Sequence, residues 1–331
     1  MQVKFWGTRG SLPVAATASE ARKKIIAALT AANGRPFASI AEIEAFTDSL
    51  PFAVSGSYGG NTACVEVIGE WIGELIGKSD QPPVEHVICD LGSGLRPLGQ
   101  AKMAEFGPGK PQTYHVFVSH LHWDHLMGLP FFVPIYIPGN RIVMHGCHPH
   151  LEAGIRLQMA APHFPVDFSQ IGAEVEFDIM QPDQEYEIAG FKVRAKLQLH
   201  AGDSYAYRFE QNGKTVVYST DSEHKLGQHA EQRAFIKFFQ DADLVIFDTM
   251  YSLADAITVK ADWGHSSNII AVELCQEAHV ARLAMFHHEP IHDDVKLAGL
   301  LDETRHFEEI TRDGRSPLEI ISSYDGLSVE L

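Results

Sequence analysis

The feature that most constrains the fold is a cluster of metal-ligand side chains that directly follows an apolar run. The run His115–Val118 leads into Ser119, and residues 120–125 then read His-Leu-His-Trp-Asp-His. A short apolar run of this kind predicts a buried strand, so the cluster begins where a rigid element ends. Imidazole and carboxylate groups are the ligands that zinc and similar divalent ions prefer. Without a cation, protonated histidines in one turn would repel one another. The motif therefore predicts a metal site rather than a cluster of surface or capping histidines.

Three further residues have the same placement at the end of an apolar run. His200 follows 193–199, Asp221 follows 215–220 and His287 follows 281–286. Taken alone, each histidine is more typical of an ordinary hydrogen-bonded side chain, and the aspartate of a turn or helix cap. Their shared position at predicted strand ends indicates that they complete the cluster at 120–125, which by itself supplies too few ligands for two metal ions.

The chain alternates short apolar strands with turns and helical stretches in two halves. Strands are predicted within 3–10, 63–69, 86–94, 114–120, 141–146, 174–180, 191–200, 204–221 and 242–249. Asn212-Gly213 predicts a tight hairpin turn inside one of these segments. Helical periodicity at about 266–279 leads into a further strand at 281–288. Two sheet-forming halves, each followed by helix, predict an α/β fold of four αββα layers, with the site between the sheet edges.

Two segments interrupt this pattern within what we predict to be a single domain spanning 1–331. Residues 14–57 contain helical stretches beginning near Ser19 and covering Ser39–Phe46, which predicts an inserted helical hairpin. Residues 148–172 contain prolines and an aromatic run around Phe164, which predicts a capping loop that could wall the substrate pocket.

Composition narrows the range of partners. Acidic residues outnumber basic ones by 43 to 26, for a net charge of −17, and no basic cluster could follow a nucleic-acid backbone. A small anionic substrate remains compatible, because divalent cations can reverse the local field. No apolar stretch is long enough to cross a membrane and no signal peptide is evident, so we expect a cytoplasmic protein. The four cysteines lie far apart in apolar runs, which predicts buried free thiols.

In its motifs the chain resembles the metallo-β-lactamase superfamily, within it the ribonuclease Z-like and cyclic-nucleotide phosphodiesterase branch. The resemblance is carried by five segments in order along the chain: Phe5–Ser11, Tyr58–Thr62, Asp90–Gly94, the HxHxDH run at 120–125 and His287–Pro290. The HxHxDH run is highly specific, and the glycine-rich segments support it by their order. The resemblance implies a metallo-β-lactamase sandwich and a dinuclear metal-dependent hydrolase that uses a metal-bridging hydroxide.

The resemblance also implies a ligand set for two divalent ions, zinc in the first place, with manganese or iron as alternatives. One ion would be held by His120, His122 and His200. The other would be held by Asp124, His125 and His287, with Asp221 bridging. His287 is preferred over His288 because it stands three residues before Pro290, as the family's last ligand often does. Asp90 is expected to orient a ligand, although a turn role at a strand end fits it equally well.

A candidate proton donor lies in the segment Trp263–Ser267 before the helix near 266–279. In ribonuclease Z-like enzymes a histidine in such a segment serves as general acid, so the resemblance implies this role for His265. The alternative is that His265 and Ser266 only cap the helix. Asp248 could pair with His265 and set its tautomer. We expect catalysis to depend most on Asp124 and His265.

The substrate prediction rests on a short spacing. Only 21 positions separate His200 from Asp221, whereas members that process transfer RNA carry a protruding arm between the equivalent positions. This disfavours a tRNA nuclease and favours a small phosphodiester such as a 3′,5′-cyclic nucleotide. The alternatives are a hydrolase of another ester, thioester or lactam, a ribonuclease Z-like nuclease, and a non-catalytic di-iron redox or sensor protein. A homodimer is left open.

Overall fold

The computed structural model describes residues 1–69, 84–224, 229–252 and 263–331. The strands in these ranges are β1 (Gln2–Gly7), β2 (Cys64–Ile68), β3 (Val84–Cys89), β4 (Gln112–Phe117), β5 (Arg141–Gly146), β6 (Glu174–Ile179), β7 (Glu185–Ile188), β8 (Phe191–Gln198), β9 (Ser204–Gln211), β10 (Lys214–Ser219), β11 (Leu244–Asp248), β12 (Arg282–Phe286), β13 (Glu319–Ser322) and β14 (Ser328–Glu330). The α-helices are α1 (Ala18–Ala32), α2 (Ile40–Asp48), α3 (Phe52–Ser55), α4 (Leu95–Phe106), α5 (Leu151–Gln158), α6 (His229–Phe239), α7 (Asn268–Glu277) and α8 (Asp294–Thr311).

The strands form two mixed seven-stranded sheets, one from each half of the chain apart from β14. The first has the order β14-β1-β2-β3-β4-β5-β6 and the second β13-β12-β11-β10-β9-β8-β7. Strands β3 to β6 run parallel, as do β10 to β13, whereas the remaining neighbours pair antiparallel. The carboxyl ends of the parallel strands therefore gather at one edge of each sheet, where ligands bind in open α/β sheets.

Three apolar clusters define four layers and confirm the predicted αββα sandwich. The central cluster lies between the two sheets and includes Phe5, Phe117 and Phe286. The second packs α6, α7 and α8 on the outer face of one sheet, and the third packs α4 and α5 on the outer face of the other. Strands β4 and β11 are buried along their whole length, as expected for parallel strands covered on both faces.

The predicted strands are all present, together with three that were not predicted, β7, β13 and β14. Each has only three or four residues, and all three are edge strands with partly exposed side chains. The predicted turn is also present: Asn212 and Gly213 both have positive φ, 52° and 76°, between the antiparallel strands β9 and β10.

The insertion at 14–57 contains the two predicted helices and the additional short helix α3. Thr17 and Glu20 form a capping box at the start of α1, and Ser39 caps α2. Neither α1 nor α2 contains a buried residue. Helix α1 packs on α3, which in turn packs on α8.

The segment 148–172 is not wholly a loop. Leu151 and Ile155, one helical turn apart, are buried on α5 and anchor it to the third cluster, so this part of the loop prediction was wrong. All four cysteines are buried and free, as predicted. No helix among the described residues is long and apolar enough to cross a membrane.

Candidate metal centre

The predicted ligands converge at the carboxyl ends of β4, β8, β10 and β12. Three strand-end residues, Asp90, Asp221 and His287, have left-handed backbone conformations with φ of 62°, 45° and 59°. Asp and His tolerate this region better than most non-glycine residues. In each case the chain turns at the strand end, and the side chain contacts other residues of the cluster.

The first group of donor atoms consists of His120, His122, His200 and one oxygen of Asp221. His122 Nδ1 lies 3.2 Å from His200 Nε2. The Asp221 Oδ2 atom lies 3.6 Å from both His120 Nε2 and His200 Nε2. The His120 Nε2 atom is fully buried and has no hydrogen-bond partner.

The second group consists of Asp124, His125, His287 and the other oxygen of Asp221. Asp221 Oδ1 lies 3.2 Å from the Nε2 atoms of both His125 and His287. Asp124 Oδ2 lies 3.2 Å and 3.3 Å from the same two nitrogens. The two nitrogens are themselves only 3.3 Å apart.

These separations fit two cations with Asp221 between them. Donor atoms placed tetrahedrally around an ion at about 2.0–2.1 Å are about 3.3 Å apart. The distances given above are close to this value, at 3.2–3.6 Å in the first group and 3.2–3.3 Å in the second. The Nε2 atoms of His125 and His287 lie 3.3 Å apart, so a positive charge between them, either a proton or a metal ion, is needed to offset the repulsion of their lone pairs. The buried, unpartnered His120 nitrogen indicates the same missing partner. The donor set is therefore the one that a zinc-like ion prefers.

A buried carboxylate fixes the orientation of His125. Asp90 Oδ2 accepts hydrogen bonds of 2.7 Å from His125 Nδ1, Ser119 Oγ and Tyr218 Oη, and Asp90 Oδ1 accepts from the Ser119 amide. A carboxylate only accepts, so Nδ1 carries the hydrogen and the Nε2 lone pair is left for a cation. The structure thus places Asp90 behind the predicted ligand His125, as well as at the end of a strand.

The electrostatics of the cluster follow from these contacts. Burial disfavours protonation of His125, yet the carboxylates of Asp221, Asp124 and Asp90 raise its pKa well above the usual range. Burial and the neighbouring His125 instead lower the pKa of His120 well below its usual value. The same cluster thus raises the pKa of one imidazole and lowers that of another. Bound cations would neutralise the carboxylates and take the place of the protons on the imidazoles.

Two glycines allow close approach to the ligands. His200 Nδ1 donates to the Gly264 carbonyl oxygen at 2.7 Å, which leaves His200 Nε2 free for the first group. Gly264 has φ of +83°, and a Cβ atom there would lie 2.4 Å from His200 Nδ1. A Cβ atom at Gly10 would lie 2.5 Å from the His287 ring. Both positions need glycine for steric reasons.

His265 lies beside both groups. Its ring centroid is 5.2 Å from that of His200 and 5.0 Å from that of His287. His265 Nδ1 donates to Asp248 Oδ2 at 2.8 Å, so the predicted pair is present. Burial would lower the pKa of His265, but the charge and hydrogen bond of Asp248 raise it to about 9. The alternative assignment of His265 and Ser266 as helix caps was wrong, because Ser267 caps α7 by accepting from the Ile270 amide.

The other two predicted residues lie away from the donor groups. His288 Nε2 donates to the Ser323 carbonyl oxygen at 2.9 Å, and burial lowers its pKa to about 3. Its ring faces Tyr58 rather than the cluster, so the structure separates it from His287. Phe164 packs on the third apolar cluster and lies 5.7 Å, ring to ring, from the partly exposed Phe131.

Three groups that were not predicted from the sequence hold the ligands in place. The Ser11 amide donates to Asp124 Oδ2 at 2.8 Å. The Ser119 hydroxyl lies between Asp90 and His120 Nδ1, at 2.7 Å and 3.0 Å. The third is the Gly264 carbonyl oxygen. Two of the three are backbone atoms, which every residue carries, so residue types alone could not single them out.

Comparisons with known proteins agree with the fold. The model of the family described as Beta-lactamase superfamily domain matches residues 87–288. Ribonuclease Z from Thermoplasma acidophilum is 21% identical over an alignment of 248 residues that covers 59% of this chain and 75% of that protein. Among solved structures, the metallo-β-lactamase fold protein YhfI from Bacillus subtilis has a TM-score of 0.62 at 16% identity, covering 100% of this chain and 98% of its own. Yeast PDE1 has a TM-score of 0.59 at 13% identity, covering 100% and 99%.

Proposed function

Since the chain belongs to the family described as the Beta-lactamase superfamily domain, we propose that it is a dinuclear metal-dependent hydrolase that cleaves a small phosphodiester, with a 3′,5′-cyclic nucleotide as the leading substrate. Membership of the superfamily confirms the resemblance inferred from the motifs. A relative named ribonuclease Z supports the prediction of a metal-dependent hydrolase. The proposal extends to which residues hold the ions, which metal is bound and which substrate is cleaved.

The proposed ligands follow the two donor groups. His120, His122 and His200 would hold one ion, and Asp124, His125 and His287 the other. Asp221 would bridge them with one oxygen each. When bound, two such ions lower the pKa of water and neutralise charge on a phosphodiester.

The observation that carries the choice of a phosphodiester is the His265–Asp248 pair. An alkoxide leaving group needs a proton, and the charge and hydrogen bond of Asp248 favour the protonated form of His265 by raising its pKa. Asp248 is fully buried, and it also accepts from the amides of Ser222 and Met250. It therefore holds the Nδ1 side of His265 and leaves Nε2 to donate to the leaving oxygen.

The surroundings of the site support a small substrate. Between His200 and Asp221 the chain forms only β9, a two-residue turn and β10, so the described structure has no extension there that could grip a long RNA. In sequence, Trp123 lies between His122 and Asp124, and Trp263 directly precedes Gly264. These two rings are 77% and 60% exposed. Exposed aromatic rings of this kind can stack on a nucleobase. Phe164 and Phe131 would form part of the wall.

The proposal is tested by a hydrolysis panel with the zinc, manganese and iron forms of the protein. The substrates are cyclic mononucleotides, cyclic dinucleotides, linear diesters, a tRNA precursor, a thioester and a lactam. We expect turnover of small diesters, and turnover of the thioester or lactam alone would contradict it. Cleavage of the tRNA precursor in preference to the small diesters would favour the ribonuclease alternative, which the relative's name supports.

The residue roles are tested by two variants. Asp124→Ala should abolish turnover, and His265→Ala should retain both metals but slow turnover of a cyclic nucleotide by roughly two to four orders of magnitude. If His265 is a proton donor, the loss should shrink sharply for bis(p-nitrophenyl) phosphate, whose leaving group needs no proton. His306→Ala, at an exposed histidine of α8, is the control and should be unchanged. An equal loss for both substrates would refute the proton-donor role.

A further inference from the structure

A cavity of about 440 Å³ lies apart from the metal centre, where the insertion meets the rest of the fold. It is enclosed by α1, α3, the loop at Gly59-Gly60 and the segment 290–295 that leads into α8. None of the predicted metal ligands lines it. Its volume falls within the range of small-molecule sites, which are mostly apolar with a few fixed polar groups.

The lining combines apolar side chains with one buried cation. Val14, Ala27, Val54, Ile291 and Val295 contribute apolar surface. Ile291 and Val295 are 81% and 69% exposed, so the apolar surface extends to the opening. Such exposure on residues that line a concave site is typical of a surface that a ligand covers.

Arg9 is the buried cation, with 3% of its surface exposed. Its Nε donates to the Gly59 carbonyl oxygen at 3.0 Å, and its Nη1 donates to the Glu289 and His292 carbonyl oxygens at 3.2 Å and 2.8 Å. Among the described residues, Nη2 of Arg9 has no hydrogen-bond partner. Carboxylates such as Asp294 attract the Arg9 charge from a distance without a hydrogen bond to it. The Nε and Nη1 hydrogens are all used in these bonds, so a ligand carboxylate would accept from Nη2, in a charge-assisted bond that neutral carbonyls do not replace.

The carboxylates that line the cavity are already bound elsewhere. Asp294 pairs with Lys24 and accepts from the Tyr58 amide. Asp293 caps α8, and Glu20 belongs to the capping box of α1. These negative charges are therefore compensated by a lysine or by helix N-termini. Lys23, which also lines the cavity, is exposed to solvent. Among the described residues, the buried charge in this cavity that lacks a carboxylate partner is therefore that of Arg9.

We propose that this cavity binds a small amphipathic monocarboxylate, with its carboxylate on Arg9 and its apolar body between α1, α3 and the 290–295 segment. The site is separate from the hydrolytic centre and does not depend on the proposed substrate. The cavity is nevertheless connected to that centre through the residues that follow Arg9. The Gly10 amide donates to the His288 carbonyl oxygen, and the Ser11 amide donates to Asp124. Bound ligand would thus stiffen two segments that position Asp124 and His287.

Calorimetric titration of the metal-loaded protein with octanoate, octanamide and acetate tests the proposal. We expect octanoate to bind at least tenfold more tightly than either of the other two, since octanamide lacks the charge and acetate lacks the apolar body. Octanoate should bind equally well when inorganic phosphate saturates the metal centre. Displacement of octanoate by phosphate would mean that it binds the metals, which overturns the proposal.

Two variants locate the binding. Ala27→Trp fills the cavity from α1 and should weaken octanoate binding at least tenfold, whereas Ile25→Trp, at an exposed position of the same helix outside the cavity lining, should leave it unchanged. Arg9→Gln should bind octanoate and octanamide alike. Since Arg9→Gln could also disturb the fold, the Ala27→Trp comparison decides independently. Equal octanoate affinity in Ala27→Trp and the unmodified protein would refute the assignment.

Discussion

Replacing Asp90 by asparagine changes one atom of the side chain, yet it should weaken metal binding. Asp90 Oδ2 accepts from His125 Nδ1, Ser119 Oγ and Tyr218 Oη, each at 2.7 Å, in a fully buried position. An amide nitrogen at this place donates instead of accepting. The serine and tyrosine hydroxyls can rotate to accept, but the imidazole can adapt only by moving its hydrogen to Nε2. That hydrogen would then point at the second donor group.

The expected size of this effect follows from the loss of one fixed tautomer. Removing the partner behind a ligating histidine typically costs 10- to 100-fold in metal affinity, or about 1.4–2.7 kcal/mol at 1.36 kcal/mol per tenfold. The assay is competition for zinc with a chromophoric chelator. Tyr218→Phe is the control, because it removes one donor and leaves the carboxylate on His125, and its affinity should fall less than threefold. Unchanged zinc affinity in Asp90→Asn would refute the reasoning.

Two further predictions concern the other groups around the ligands. Asp248→Asn removes the charge that raises the pKa of His265. Since the protonated form of His265 is the one required, the alkaline limb of the kcat–pH profile should move to lower pH. An alkaline limb that does not move would contradict the pairing. Gly264→Ala places a Cβ atom 2.4 Å from His200 Nδ1 at φ of +83°, so zinc affinity and the melting temperature should both fall. Gly299→Ala, inside α8 with open space around it, should instead stabilise the fold by about 0.5–1 kcal/mol, and a chemical denaturation series on both variants checks the opposite signs.

Much of the fold could be predicted because the buried parallel strands are continuous apolar runs. β4 and β11 are of this kind. The ends of β4, β8, β10 and β12 located the ligand candidates. The short edge strands β7, β13 and β14 were missed because three or four half-exposed residues give too weak a pattern. Helix α5 was missed because flanking prolines suggested a loop, while its two buried residues, Leu151 and Ile155, become informative only once the sheet that they pack on is known.

Some residues of the candidate site could likewise be predicted from the sequence, and others could not. His200, Asp221 and His287 could be found because side-chain chemistry and strand position coincide. The contacts of Ser11, Ser119 and Gly264 could not, because two of them use backbone atoms and the third a serine with no distinguishing pattern. The pairing of His265 with Asp248 joins residues 17 positions apart through the ends of different elements, so only the folded structure could place them in contact.

The most direct test of the account is anomalous diffraction from crystals of the zinc-loaded protein. We predict two peaks roughly 3.5–4 Å apart, one among His120, His122 and His200 and the other among Asp124, His125 and His287, with an oxygen of Asp221 directed at each. A single peak, or ions bound elsewhere while hydrolysis is intact, would contradict the dinuclear centre on which the proposed chemistry depends.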